Sequence, residues 1–190
     1  LLVGAPAAWA ISRLRFRGRS MVRGLYIVLM LLPFQVTMVP SYLVLRQFGL
    51  LDTPWAIILP GIFSTFPVFI MERGFDTIPR EVLESASIDG ANQWQRFWRI
   101  GIPLGIPGLI SALTLGFLDA WNAIEQPMTF LESPQYWPLS LFFTDPANLD
   151  TKQLGLAMAA SLWMLLPSIL VFRFGQTYLE AGLTKGAVKG

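Results

Sequence analysis

Long uncharged runs alternate with short charged segments along this chain. Gly24 to Leu45 and Pro54 to Met71 contain no charged side chain, and Gln153 to Phe172 is uncharged up to Arg173. Ile100 to Leu131 is longer and is interrupted only by Asp119 and Glu125. A helix needs about 20 mostly apolar residues to cross roughly 30 Å of hydrocarbon, so these four stretches are predicted as complete membrane spans. Leu1 to Ile11 is about half that length and runs into a basic cluster, which predicts the end of a span whose first half lies upstream. The predicted fold is all-α: a polytopic helix bundle with four complete spans plus the end of a cut one.

Charge sorts by alternate connecting segments. Arg13, Arg15, Arg17, Arg19 and Arg23 fall between the stub and the first complete span. Arg73, Arg80, Arg96 and Arg99 fall between the second and third, and Arg173, Lys185 and Lys189 follow the last. Of the 14 basic residues only Arg46 and Lys152 fall on the other side, together with Asp52, Glu132, Asp145 and Asp150. Short cytoplasmic loops are enriched in Lys and Arg, so the three basic segments, including the 174–190 tail, are expected in the cytoplasm. Prolines recur inside the predicted spans, at Pro33, Pro40, Pro60, Pro67, Pro107, Pro127 and Pro167. Bundled membrane helices tolerate them because neighbouring groups satisfy the freed carbonyls, and the kinks suit a protein that moves. Gly101 and Gly105 form a small-xxx-small pair of the kind that permits close helix contact.

Composition narrows the chemistry. The chain is 54% hydrophobic and 14% charged, well to the apolar side of a soluble domain. It has no cysteine and no histidine, which removes disulfides, thiolate and imidazole metal sites, and Cys- or His-dependent catalysis. The net charge is only +2 and its basic residues follow topology, so nucleic acid is not an expected partner. The opening LLVGAPAAWA has no charged region ahead of its apolar run and does not read as a signal peptide.

The segment 72–103, ERGFDTIPREVLESASIDGANQWQRFWRIGIP, is too charged for lipid and too long for a tight turn. Pro79 suits a first helical turn, with Glu81 and Glu84 near the positive end of the helix dipole. Val82, Leu83, Ala86 and Ile88 supply an apolar surface. Gly90 after Asp89 is expected to stop the helix in a left-handed conformation. A second helix is predicted from Asn92 to Ile100, giving a helix, glycine turn, helix element at the membrane surface. An interfacial helix anchored by Trp94 and Trp98 is the simpler alternative.

Within this segment Glu84-Ser85-Ala86, then Gly90 after three residues, then Ile100-Gly101-Ile102-Pro103 after nine, resembles the EAA loop of ABC importer permeases, E-A-A, x3, G, x9, I-x-L-P. Ser85 and Ile102 depart from it by small changes in volume. The longer run FDTIPREVLESASIDGANQWQRFWRIGIPLGIPGL, with APAAWAISRLRFRGRS and GLTKGAVKG, is similar to the carbohydrate-uptake branch, the smaller permease subunit of maltose-type systems in particular. The resemblance implies a six-span subunit, N-terminally incomplete here across 1–190. It also implies a second permease subunit, two cytoplasmic ATPase subunits, and a periplasmic or lipid-anchored binding protein that delivers a sugar. It places the chain in a bacterial inner membrane with a cytoplasmic C-terminus, and makes 72–103 the coupling loop. Glu84, Ser85, Ala86, Asp89, Gly90 and Pro103 then contact the ATPase.

No G-x-x-x-x-G-K-[ST] phosphate loop is present, so ATP and magnesium are expected in the ATPase subunits and no cofactor in this chain. The family's Trp-Asn-acid pattern becomes Trp121-Asn122-Ala123, with Glu125 two residues on. An aspartate deep in a span costs about 2.5 to 3.5 kcal/mol on translocon scales, which makes Asp119, with Asn122, a candidate for the translocation path or for a packing contact with a partner permease. Other readings are import of a different solute by the same architecture, an ion-coupled transporter or channel using Asp119, and an intramembrane enzyme using Asp119 and Glu125. The last pair would sit about 120° apart around one helix, which disfavours it.

Overall fold

The structure is a computed structural model and describes residues 1–142 and 154–187, with side chains described for 1–141 and 155–180. Asp145, Asn148, Asp150, Lys152 and Lys189 lie outside the described residues. The helices in chain order are α1 (Gly4–Arg13), α2 (Arg19–Leu31), α3 (Phe34–Gln47), α4 (Trp55–Ile62), α5 (Thr65–Asp76), α6 (Arg80–Ile88), α7 (Gln93–Arg96), α8 (Ile102–Trp121), α9 (Glu125–Phe130), α10 (Leu139–Phe142) and α11 (Leu154–Ala187). A π-helical turn, Phe97–Gly101, joins α7 to α8, and a 3-10 turn covers Pro134–Tyr136. No strand occurs among the described residues.

Three helices are long and apolar enough to cross a membrane: Trp55–Asp76, Gln93–Trp121 and Gly155–Glu180. A fourth span is obtained only by counting the interrupted pair α2 and α3 as one. Two predicted spans are interrupted. Gly24 to Leu45 breaks at Leu32 and Pro33, and Ile100 to Leu131 breaks at Asn122 to Ile124.

Prolines mark the restarts at α3, α5 and α9. Pro33 is the N-cap of α3 with an extended ψ of 151°. Pro67 and Pro127 are each the third residue of their helices. In a first turn the missing N–H has no intrahelical partner to lose, so proline marks a start there. Pro40, Pro60, Pro107 and Pro167 are carried inside helices, as the bilayer argument allows. Within the predicted tail, α11 continues as far as Ala187.

The chain divides into two compact units. The first comprises Leu1–Leu31, Phe63–Gly116 and Phe174–Gly190. Its core sets Trp9, Phe75 and Phe97 together, with Trp9 edge-on to Phe75 at 5.3 Å and 5.8 Å from Phe97. Glycine makes the space. A Cβ on Gly101 would lie 2.6 Å from the Trp9 ring, one on Gly105 would lie 2.6 Å from Phe75, and one on Gly108 would lie 2.6 Å from the Gly74 Cα. The small-xxx-small pair seen in the sequence is thus part of a longer seam along the π turn and α8.

Arginines tie the helix ends of this unit. Arg13 donates to the carbonyls of Phe75 and Ile78 at the end of α5, and Arg19 donates to Ile11 and Ser12 at the end of α1. These carbonyls lie at helix ends, where the guanidinium groups supply donors, Phe75 O also accepting from the Ile78 N–H. Arg23 pairs with Glu72 and Asp76, each at 2.7 Å, and Ser12 donates to Asp76 at 2.7 Å.

The second unit comprises Leu32–Ile62 and Phe117–Arg173. Leu45, Ala56, Phe130 and Leu131 form its core, with Phe34 5.9 Å and Tyr42 6.5 Å from the Phe130 ring. Gly49, at φ 65°, ends α3, and Leu50 N–H returns to the Leu45 carbonyl. Asp52 then holds a left-handed φ of 56° and fastens the chain after α9. Its carboxylate accepts from the amides of Glu132 (2.9 Å) and Ser133 (2.7 Å) and from the Ser133 hydroxyl, while its own N–H donates to Phe130 O.

Candidate coupling element and translocation residues

The EAA-like residues lie on α6 and its glycine turn. Pro79 is the N-cap, one position earlier than a first-turn proline, with an extended ψ of 143°. Glu81 sits in the first turn, where a carboxylate favours the dipole. The helix ends as predicted at Gly90, whose φ is 81°. Gly90 N–H bonds to Ser87 O at 3.1 Å, and Ala91 N–H returns to Ala86 O at 2.9 Å. This paired closure requires a left-handed residue between them, which explains the glycine. Asn92 caps the next helix reciprocally with Gln95, both bonds at 2.9 Å.

The second helix differs from the prediction. It does not stop at Ile100; α7 passes through the π turn into α8, so Gln93–Trp121 forms one long helix. A π turn takes up one extra residue, which keeps Phe97 buried with Trp9 and Phe75 while the helix continues. Arg96 Nη1 donates to Ser87 Oγ at 2.7 Å, joining the end of α6 to the start of that long helix.

The apolar residues of α6 are unequally covered. Leu83 packs on the core, whereas Val82 is 39% and Ile88 87% exposed. Glu84, Ser85, Asp89 and Gly90 are exposed, and Ala86 is half-buried. One short helix and its cap therefore bring Glu84, Ser85, Ala86, Asp89 and Gly90 together, while Pro103 is on a different element, the first turn of α8. Trp94 and Trp98, 62% and 49% exposed, stand edge-on to each other at 5.7 Å beside Phe97.

Asp119 and Asn122 fall at the end of α8 in the second unit. Asp119 is exposed and has no hydrogen-bond or ion-pair partner among the described residues. Asn122 donates back to Leu118 O at 2.7 Å, closing the helix end. Trp121 donates to Met164 O at 2.9 Å, three residues before Pro167 in α11. Asp119 and Glu125 belong to separate helices, so no single-helix geometry relates them.

The family described as "Binding-protein-dependent transport system inner membrane component" matches residues 1–185. This chain belongs to that family. It resembles the inner membrane ABC transporter permease protein YcjP of Escherichia coli, with 33% identity over the whole chain and 69% of that protein. It is 32% identical to the diacetylchitobiose uptake permease DasC of Streptomyces coelicolor, covering 100% of this chain and 70% of that one. The lactose transport permease LacG of Rhizobium radiobacter is 29% identical, covering 100% and 69%. Among solved structures, a bacterial ABC transporter that imports the acidic polysaccharide alginate superposes with a TM-score of 0.77 at 26% identity, covering 94% of this chain and 69% of its own. The chain is thus a permease component of an ABC importer, a transport subunit whose described residues are helical with no strand.

Proposed function

We propose that this subunit forms part of the path for a sugar and transmits ATP-driven closure of a separate ATPase through α6. The carrying observation is that α6 leaves Glu84, Ser85 and Ile88 uncovered and is nonetheless fixed to the head of a candidate span. An apolar residue that is 87% exposed beside acidic groups fits a surface cleft of a protein partner better than lipid. Displacement of α6 would pass through the Gly90 turn and the Arg96–Ser87 bond into Gln93–Trp121. Glu84, Ser85, Ala86, Asp89 and Gly90 make the ATPase contact in this reading, and Pro103 aligns the start of α8. Asp119 and Asn122 line the path.

Names of relatives support the substrate class: lactose, diacetylchitobiose and, for the arabinooligosaccharide permease AraQ, pentose oligomers. The partners are a second permease, two ATPase subunits that bind ATP and magnesium, and a binding protein. The basic segments and the C-terminus face the cytoplasm. Because the chain has no cysteine, Ser85→Cys in the assembled complex should form a nucleotide-dependent cross-link with the ATPase. Absence of any cross-link from Ser85→Cys or Ile88→Cys in a transport-active complex would refute the docking assignment.

A further inference from the structure

Both interrupted spans restart at the same place in the second unit. Gln35 is the second residue of α3, just after the Pro33 break, and Glu125 is the first residue of α9, just after the Asn122 to Ile124 break. Gln35 Nε2 donates to Glu125 Oε2 at 2.7 Å. The helices behind them are fixed, with Phe34 and Tyr42 packed on Phe130 and the Thr129 hydroxyl donating to Glu125 O at 2.7 Å. The pair is exposed, and no lysine or arginine pairs with Glu125 among the described residues. A charge in an apolar stretch without a counter-ion belongs beside water or solute, and substrate sites in membrane transporters are commonly built where spans are discontinuous.

We infer that Gln35 and Glu125 are specificity-determining residues of the path and select a neutral, hydroxyl-rich sugar over an anionic one. The inference rests on the sugar-importer reading above. A carboxylate accepts sugar hydroxyls and an amide both donates and accepts, so the pair offers a mixed hydrogen-bonding edge with negative charge. A uronate carboxylate placed there meets like charge.

The test uses the full subunit in its complex, in nanodiscs without the binding protein. Affinities for lactose, N,N′-diacetylchitobiose and an alginate trisaccharide are read by ligand-observed NMR, with basal ATP hydrolysis and assembly as controls. Wild type should prefer the two neutral sugars. Glu125→Gln keeps a hydrogen-bonding partner for Gln35 and should lose about tenfold of the discrimination against the trisaccharide. Gln35→Leu should weaken neutral-sugar binding by about tenfold. The two effects should be non-additive, and both variant complexes should assemble. Unaltered affinity ratios in both variants, or loss of assembly with ratios preserved, would show a structural clasp and overturn the inference alone. Preference of wild type for the trisaccharide would also overturn it. Binding of none of the three would overturn the sugar reading and this inference with it.

Discussion

Replacing Gly90 separates backbone conformation from side-chain contact, because a Cβ there meets nothing within 4 Å in this chain. Its cost is therefore the left-handed φ of 81° alone. For an ordinary L-residue that amounts to about 1 to 2 kcal/mol, and a β-branched residue is worse. Such a penalty shifts the closed turn's equilibrium by roughly 5- to 30-fold. It is too small to unseat a helix bundle but large enough to loosen the turn that joins α6 to the long helix, which is closed by the Ser87 and Ala86 carbonyl bonds and braced by the Arg96–Ser87 contact. Gly90→Val should leave the subunit in the membrane, preserve basal ATP hydrolysis, and depress substrate-stimulated hydrolysis and transport together. Gly90→Asn should lose least, since asparagine tolerates this region, and Gly90→Ala should fall between. Equal damage from Asn and Val would show that the partner's surface, not the turn, rejects a side chain. Wild-type coupling in Gly90→Val would refute the reasoning outright.

Topology can be read with single cysteines: Ser20→Cys and Ser87→Cys should react with an impermeant reagent only from the cytoplasmic face, and Gln135→Cys from outside. Labelling of Ser87→Cys in intact spheroplasts would contradict the assigned sidedness. Gly108→Ala drives a Cβ to 2.6 Å from Gly74 Cα, and backbone cannot yield as a side chain can, so thermal unfolding of the complex should show a loss of about 1 to 3 kcal/mol. Gly24→Ala, which meets nothing within 4 Å, should show no loss. The Ser133 hydroxyl, followed by backbone amides, holds the Asp52 carboxyl below the usual carboxylate range. A depressed folded-state pKa gives stability that is present above the unfolded value near 3.9 and lost as pH falls through the folded one. Protection from hydrogen exchange at Glu132 and Ser133 should therefore stay high at pH 5 and fall only at more acid pH, while Asp52→Ala should lose it throughout.

The apolar runs and the Gly90 turn were legible because each depends on local rules: span length, and a glycine where only a left-handed residue closes the helix. The breaks at Leu32–Pro33 and Asn122–Ile124 are not marked by the apolar pattern, because a proline in an apolar run reads the same whether it starts a helix or lies inside one. Pro33, Pro67 and Pro127 are start signals, and Pro127 as the third residue of a helix would have placed the α8–α9 break three residues upstream. The arginines of the first basic segment read correctly as a charge cluster, yet the roles of Arg13, Arg19 and Arg23 depend on carbonyls and carboxylates that only folding brings near. Exposure of Val82 and Ile88 was likewise invisible, since an apolar stripe looks the same whether its own chain or a partner covers it. The Gln35–Glu125 pair spans 90 residues of sequence, and no local pattern announces it.

The central claim is that this subunit couples sugar movement to ATP hydrolysed elsewhere. Its most direct test is uptake of labelled sugar into proteoliposomes holding the full permease pair and ATPase, with ATP inside and sugar-loaded binding protein outside. Uptake should require ATP, the binding protein and an intact Glu84–Gly90 segment, with Glu84→Lys abolishing coupling while the complex stays assembled. Sugar accumulation that proceeds without ATP, driven by an ion gradient instead, would contradict it.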